Sequence, residues 1–213
     1  MTIVVEDDTI RIEKLQLGFL GTNAYILTCQ KTKDSVLVDA PAKADKIMER
    51  LQSTNPKYIL LTHNHMDHTG ALQALRDRLG LPLATHHADT GALSPPPEIR
   101  LKNGDVVSFG DIRLEVRHTP GHTPGSLCFK TEKYLISGDT IFPGGPGKTG
   151  TPDDFTQIIK SITGQIFTLD GDTQIYPGHG NPTTVKKEKE TFAAFSSRPH
   201  DSNLYGDVLW LSS

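Results

Sequence analysis

Apolar and polar residues alternate from Ile10 to Leu17, the period of a strand with one buried face. A second strand-like run, Asn23 to Thr28, follows a Gly-Thr turn, and Ser35 to Asp39 (SVLVD) is a short apolar run. After Pro41 the spacing changes: Ile47, Met48 and Leu51 suit a helix over Ala42 to Leu51. Tyr58 to Leu61 (YILL) predicts a short buried strand, and Ala71 to Leu79 returns to helical spacing and stops at Gly80, a natural C-terminal cap. Beyond a stiff Ser94–Glu98 loop (SPPPE), VVSF and IRLEV flank a Gly110-Asp111 turn as a hairpin. SLCF and YLIS follow, separated by a charged turn at Lys130 to Lys133. Phe155 to Ile162 reads as a helix started by Pro152-Asp153-Asp154, Gln174 to Tyr176 as a strand, and Val185 to Phe195 as a helix with one apolar edge.

Strands and helices therefore recur in two similar rounds, each opening with strands and closing with helix. That order favours an α/β (α+β) design with helices packed outside a pair of sheets. No fixed-period repeat or linker interrupts it, so residues 1–213 are read as a single domain.

Composition narrows the function classes. Apolar residues make up 36% and charged residues 22%, a folded, soluble profile. A net charge of −3 supplies no broad basic field, so nucleic acid is not an expected partner. The N-terminus, MTIVVEDDTIRIEK, is acidic where a signal peptide needs a basic start and an apolar run, and no stretch approaches the ~20 apolar residues of a membrane span. A cytoplasmic location without membrane attachment is expected. Cys29 and Cys128 lack paired ligand spacing and read as reduced, buried fillers.

The candidate chemistry begins where YILL ends, in THNHMDHTG. A lone histidine would be read as an ordinary hydrogen-bonded residue. Three histidines and an aspartate within six positions, directly after a buried strand, point to metal. Alternate positions of an extended segment face one way, so His63 and His65 can reach one ion together, leaving Asp67 and His68 for a second. His122 in TPGHTPGS, Asp139 in LISGDT and His179 in YPGHG each sit in a tight turn just past a strand. Imidazole and carboxylate donors suit zinc first, with iron or manganese as alternatives, and two ions about 3.5–4 Å apart can activate a water while holding a substrate oxygen. His86, His87, His118 and His200 receive no role; His86 and His87 read as part of a solvated loop. The segment Phe142 to Gly150 fails as a nucleotide-binding loop, because the glycine required five positions before Gly147 is Phe142. What remains is a glycine loop with one cation, Lys148, which reads either as a partner for a substrate carboxylate or as a solvated lysine.

The order Asp39, His63-Asn64-His65-Met66-Asp67-His68, His122, Asp139, His179 resembles the signature of the metallo-β-lactamase superfamily over about Asn23 to His179. The resemblance implies an αββα four-layer sandwich with metals at one edge of the sheets. It implies that His63, His65 and His122 hold one metal, that Asp67, His68 and His179 hold the other, and that Asp139 bridges them. Asp67 and Asp139 are then the carboxylates of the catalytic machinery, and Asp39 supports ligands from behind without touching an ion. Within that superfamily, TPGHTPGS, SGDT and the stretch ending in Gly147-Lys148 are similar to the glyoxalase II group, which hydrolyses acyl-glutathione thioesters. The longer enzymes of that group add a helical C-terminal domain, whereas only Gly180 to Ser213 follow His179 here.

The expected activity is hydrolysis of a small-molecule thioester by a water deprotonated between two cations. A thiol of pKa near ~8.5 departs without a general acid, unlike an amide nitrogen. Two alternatives stand beside it. One is a persulfide dioxygenase with a single iron on His63, His122 and Asp139, although that group shows Gly-Arg-Thr-Asp where this chain has Gly147-Lys148-Thr149-Gly150. The other is a lactonase or phosphodiesterase using the same ligands. The tail's apolar end, Val208 to Leu211, reads as cover for the edge of the core.

Overall fold

The computed structural model describes residues 2–91 and 93–213. Its strands and helices run β1 (Thr2–Glu6), β2 (Ile10–Leu17), β3 (Thr22–Cys29), β4 (Asp34–Val38), α1 (Ala44–Leu51), β5 (Asn55–Leu60), α2 (Met66–Thr69), α3 (Leu72–Leu79), β6 (Leu83–His86), β7 (Ile99–Leu101), β8 (Val106–Phe109), β9 (Ile112–His118), β10 (Leu127–Lys130), β11 (Tyr134–Gly138), β12 (Ile141–Phe142), β13 (Gly145–Pro146), α4 (Pro152–Ser161), β14 (Gln174–Pro177), β15 (Thr183–Thr184) and α5 (Val185–Ser196). One sheet has the order β1-β2-β3-β4-β5-β6-β7 and the second β15-β14-β11-β10-β9-β8.

Alternation along the strands makes three layers of apolar contact. Tyr25 and Leu27 of β3 meet Leu114, Val116, Leu127 and Phe129 of the second sheet in the core between the sheets. The intervening residues Ala24 and Ile26 point the other way, under Ile47 and Leu51 of α1 and Leu72 and Leu75 of α3. On the far side, Cys128, Leu135 and Ile175 pack beneath Ile158 of α4 and Val185 and Phe195 of α5. Burial from both faces explains why all eight residues of β3 are buried. The result is the αββα sandwich. Among the described residues no helix is long and apolar enough to cross a membrane.

Several boundaries follow the sequence signals. Gly80 closes α3 in the left-handed conformation, its N–H donating to the Arg76 carbonyl, and Thr151 caps α4 by accepting from the Asp154 N–H. Gly110-Asp111 is the tip of the β8–β9 hairpin, pairing Phe109 with Ile112. Other boundaries differ. Helix α1 begins two residues later than predicted, and α4 runs on through a wider π-turn, Ile162–Ile166. Strands β6 and β7 escape the sequence reading because four and three residues are too short to display a period. Tail residues Val208 and Trp210 are buried against α5, with Trp210 packed edge-on to Phe192, while Leu209 and Leu211 are exposed.

The strand directions position the chemistry. Strands β4, β5 and β6 are parallel neighbours, as are β11 and β14, so their carboxyl ends deliver the following residues to shared edges. Such ends are where open α/β sheets bind ligands. Asp39 follows β4, His63 lies three residues past β5, Asp139 follows β11 and His179 comes two residues after β14. The two sheets are pinned together there by backbone bonds from the Asn23 N–H to the Gly178 carbonyl (2.7 Å) and from the Leu127 N–H to the Thr62 carbonyl (2.8 Å).

Candidate metal centre

The structure brings all seven predicted ligand residues to this edge. Donor atoms of His63, His65 and His122 lie within 4.8 Å of one another, as do those of Asp67, His68 and His179, and those of His63, His68 and Asp139. The rings of His63, His65 and His122 form a near-equilateral triangle, with centroids 4.6–4.8 Å apart and planes 80–83° to one another. Asp139 sits between the two outer triads: Oδ1 is 3.4 Å from His68 Nε2, and Oδ2 is 3.5 Å from His179 Nε2 and 3.6 Å from His122 Nε2. Asp67 Oδ2 faces His179 Nε2 at 3.2 Å.

The fit to metal rests on unmet polar capacity. His63 Nε2, His68 Nε2, His122 Nε2 and Asp139 Oδ1 are buried and have no hydrogen-bond partner. Buried polar atoms are normally satisfied, because leaving one bare forfeits its hydration. Four such atoms, drawn from overlapping clusters of candidate ligands, fit a cation in their chemistry.

The opposite ring nitrogens fix this aim. His122 Nδ1 donates to the Lys148 carbonyl (2.7 Å) and His179 Nδ1 to the Leu20 carbonyl (3.3 Å), so each Nε2 keeps its lone pair. Thr62 Oγ1 donates to Asp39 Oδ2 (2.8 Å), which leaves its lone pairs to accept from His63 Nδ1 (3.1 Å). His68 Nδ1 donates to the same Asp39 oxygen (2.7 Å), while Asp39 Oδ1 accepts the Thr62 N–H (2.8 Å). Asp39 thus has the supporting place expected of it. Asp67 is oriented by Thr22, whose hydroxyl donates to Oδ2 at 2.9 Å.

Electrostatics agree with this layout. Burial, reinforced by His68, pushes His63 well below the ordinary imidazole value, and burial followed by His122 lowers His65. Burial also disfavours charge on His68, but Asp39 and Asp139 together outweigh it and hold the ring at about 10. Burial would raise Asp139; the facing His179 and His68 rings overcome it and keep the carboxyl well below its usual range.

Lys148, His86 and His200 stand outside the clusters of candidate ligands. Lys148 Nζ is exposed and lies 3.5 Å from Asp207 Oδ2 of the tail, a loose surface pair at the site's rim. His86 corrects the expectation of a solvated loop: it is buried, stacked on His118 (3.9 Å, 14°) and tilted against His87. His200 is half-buried and stacked on Phe195. Around the candidate ligands, the supports that the sequence does not reveal include Thr22, Thr62 and the carbonyls of Leu20 and Lys148. Carbonyls carry no side-chain signature, and threonines are common in strands.

Residues 17–179 match the metallo-beta-lactamase superfamily. The hydroxyacylglutathione hydrolase GloC of Haemophilus influenzae is 30% identical over 189 residues, covering 78% of this chain and 89% of its own. Among solved structures, the BLEG-1 B3 metallo-beta-lactamase superposes with a TM-score of 0.77 at 31% identity, covering 84% of this chain and 96% of that one. TTHA1623 in a di-iron-bound form gives 0.72 at 30% (83% and 96%), and ETHE1 from Myxococcus xanthus 0.75 at 26% (84% and 81%). With the candidate ligand residues gathered at one edge of an αββα sandwich, these likenesses establish that the chain belongs to the metallo-beta-lactamase superfamily.

Proposed function

We propose that the protein is a metal-dependent hydrolase that splits a small-molecule thioester of the hydroxyacyl-thiol kind at a centre for two divalent cations. The observation that carries this is the pair of triads on either side of Asp139, with four buried donor atoms unpaired between them. The likeness to a hydroxyacylglutathione hydrolase supports the substrate class, and the likeness to a di-iron-bound structure supports two ions. Zinc is the proposed metal, with iron or manganese as the alternatives.

His63, His65 and His122 would hold one ion and Asp67, His68 and His179 the other, with Asp139 shared. Divalent cations held by these residues would supply the charge that makes a water more acidic and that offsets a developing substrate oxyanion. The protein's own part is orientation. Asp39 and Thr62 lock His63 and His68 from behind, and the Leu20 and Lys148 carbonyls do the same for His179 and His122. Asp67 and Asp139 are taken up by ligand geometry, so neither is placed to protonate a leaving group. A thiolate, from a thiol of pKa near ~8.5, needs no such help, whereas an amide nitrogen does. That asymmetry favours a thioester over a lactam.

Chelation is expected to abolish hydrolysis, and zinc, iron or manganese to restore it, with elemental analysis giving two ions per chain. A panel of thioesters and lactones run on the same samples tests the substrate class: full turnover by metal-free protein, or lactones cleaved faster than every thioester, would refute the proposal. A second reading, oxygen-dependent chemistry on a single iron, is favoured by the likeness to ETHE1. One iron per chain with oxygen uptake on a persulfide would establish it instead.

Lys148 is proposed to dock a carboxylate of the substrate, exchanging its loose contact with Asp207 for it. Lys148→Ala is then expected to raise KM about five-fold, the scale of an exposed ion pair, with kcat unchanged. A fall in kcat at constant KM would remove it from substrate binding.

A further inference from the structure

Asp89 is 1% exposed and has no part in the ligand set. It closes a 3-10 turn, His87–Asp89, just past β6. Its carboxylate is satisfied by donors from two loops. Oδ2 accepts the backbone N–H of Asn64 (3.2 Å) and the hydroxyl of Thr123 (2.7 Å); Oδ1 accepts the N–H of Gly125 (2.8 Å). Asn64 stands between His63 and His65, and Thr123 follows His122. The fit is close: a Cβ on Gly125 would fall 2.5 Å from the Asp89 carboxyl carbon. Ser126 completes the loop, its hydroxyl 2.8 Å from that of Thr123 and accepting the Thr123 N–H at 3.1 Å.

We propose that Asp89 is a positioning residue that clamps the loop of His63 and His65 to the loop of His122, and so sets affinity at their triad without acting on the other. The reason is connectivity. His63 and His65 arrive from the first sheet and His122 from the second, and the three rings must meet to within the tolerance of a metal bond. A buried carboxylate taking donors from both loops ties them directly. The second triad has separate supports in Asp39, Thr22 and the Leu20 carbonyl. Asn cannot fully replace Asp here: whichever way its amide turns, the NH2 group meets a backbone N–H, that of Gly125 or that of Asn64, and cannot accept from it.

This inference rests on the two-ion reading above, and its test separates the two. Stripped wild type, Asp89→Asn, His179→Ala and the double variant are titrated with Zn2+, following heat and final metal content. Wild type is expected to take up two ions. Asp89→Asn should keep one and bind the other about 10–100-fold more weakly, the range for lost outer support of a metal ligand. His179→Ala should keep the ion that Asp89 supports, and the double variant should hold neither tightly. Thr123→Val, which cuts one bond only, should shift the same ion in the same direction by less, and it carries the test if Asp89→Asn does not fold. Two ions at wild-type affinity in both Asp89→Asn and Thr123→Val, or a double variant equal to His179→Ala, would overturn the clamp while leaving the metal centre standing. A wild type that takes up no ion overturns the reading beneath it.

Discussion

Asp139→Asn is expected to lower kcat by about three orders of magnitude, the upper end of the ~10²–10³ typical of losing one stabilising donor, because both proposed sites would lose a ligand together. Of the seven candidate ligand residues, Asp139 is the one whose two oxygens reach His68, His179 and His122 at 3.4–3.6 Å. Asparagine keeps the shape and one acceptor but turns an NH2 group toward lone pairs that are fixed by the Asp39, Leu20 and Lys148 contacts. Metal content should fall from two ions per chain to one at most. Elemental analysis and single-turnover kinetics check both halves. Two retained ions with turnover within ten-fold of wild type would show that Asp139 is not shared between the triads.

Fold and candidate site are legible in the sequence where chemistry and period coincide. THNHMDHTG concentrates four candidate ligand residues within six positions, and the apolar YILL before it marks a buried strand, so candidate site and scaffold declare each other. His122, Asp139 and His179 were legible because each lies in a glycine-bearing turn at a strand end, where a ligand residue has no core to serve. What stayed hidden depends on tertiary contact. Asp89 in HHADTG resembles any loop aspartate until Asn64, Thr123 and Gly125 are brought to it. His86 misled for the same reason: the rings of His118 and His87 that bury it come from the end of β9 and from the adjoining turn. Helix α1 began late because Lys43 adopts a left-handed φ of 54°, which a helical period cannot report.

Gly178→Ala makes a complementary demand, since it alters no charge and no donor. A Cβ there would lie inside contact distance of Asp139 Oδ1 and 2.8 Å from His68 Cε1. Neither partner can retreat freely. His68 is tied to Asp39 at 2.7 Å, and Gly178 itself is held by its N–H to the Gly138 carbonyl (2.8 Å) and by the Asn23 N–H to its own carbonyl (2.7 Å). The methyl group must therefore displace Asp139, and a misplacement near 1 Å costs about 10²-fold in kcat/KM. Overpacking on this scale destabilises by about 1–3 kcal/mol, so the protein should still fold, and a thermal melt beside the kinetics will show it. Gly164→Ala, where an added Cβ meets nothing within 4 Å, is the control and should leave kcat/KM unchanged. If Gly178→Ala turns over like wild type, the Asp139 carboxylate does not stand where the close approach of Gly178 requires it, and the shared-ligand geometry fails with it.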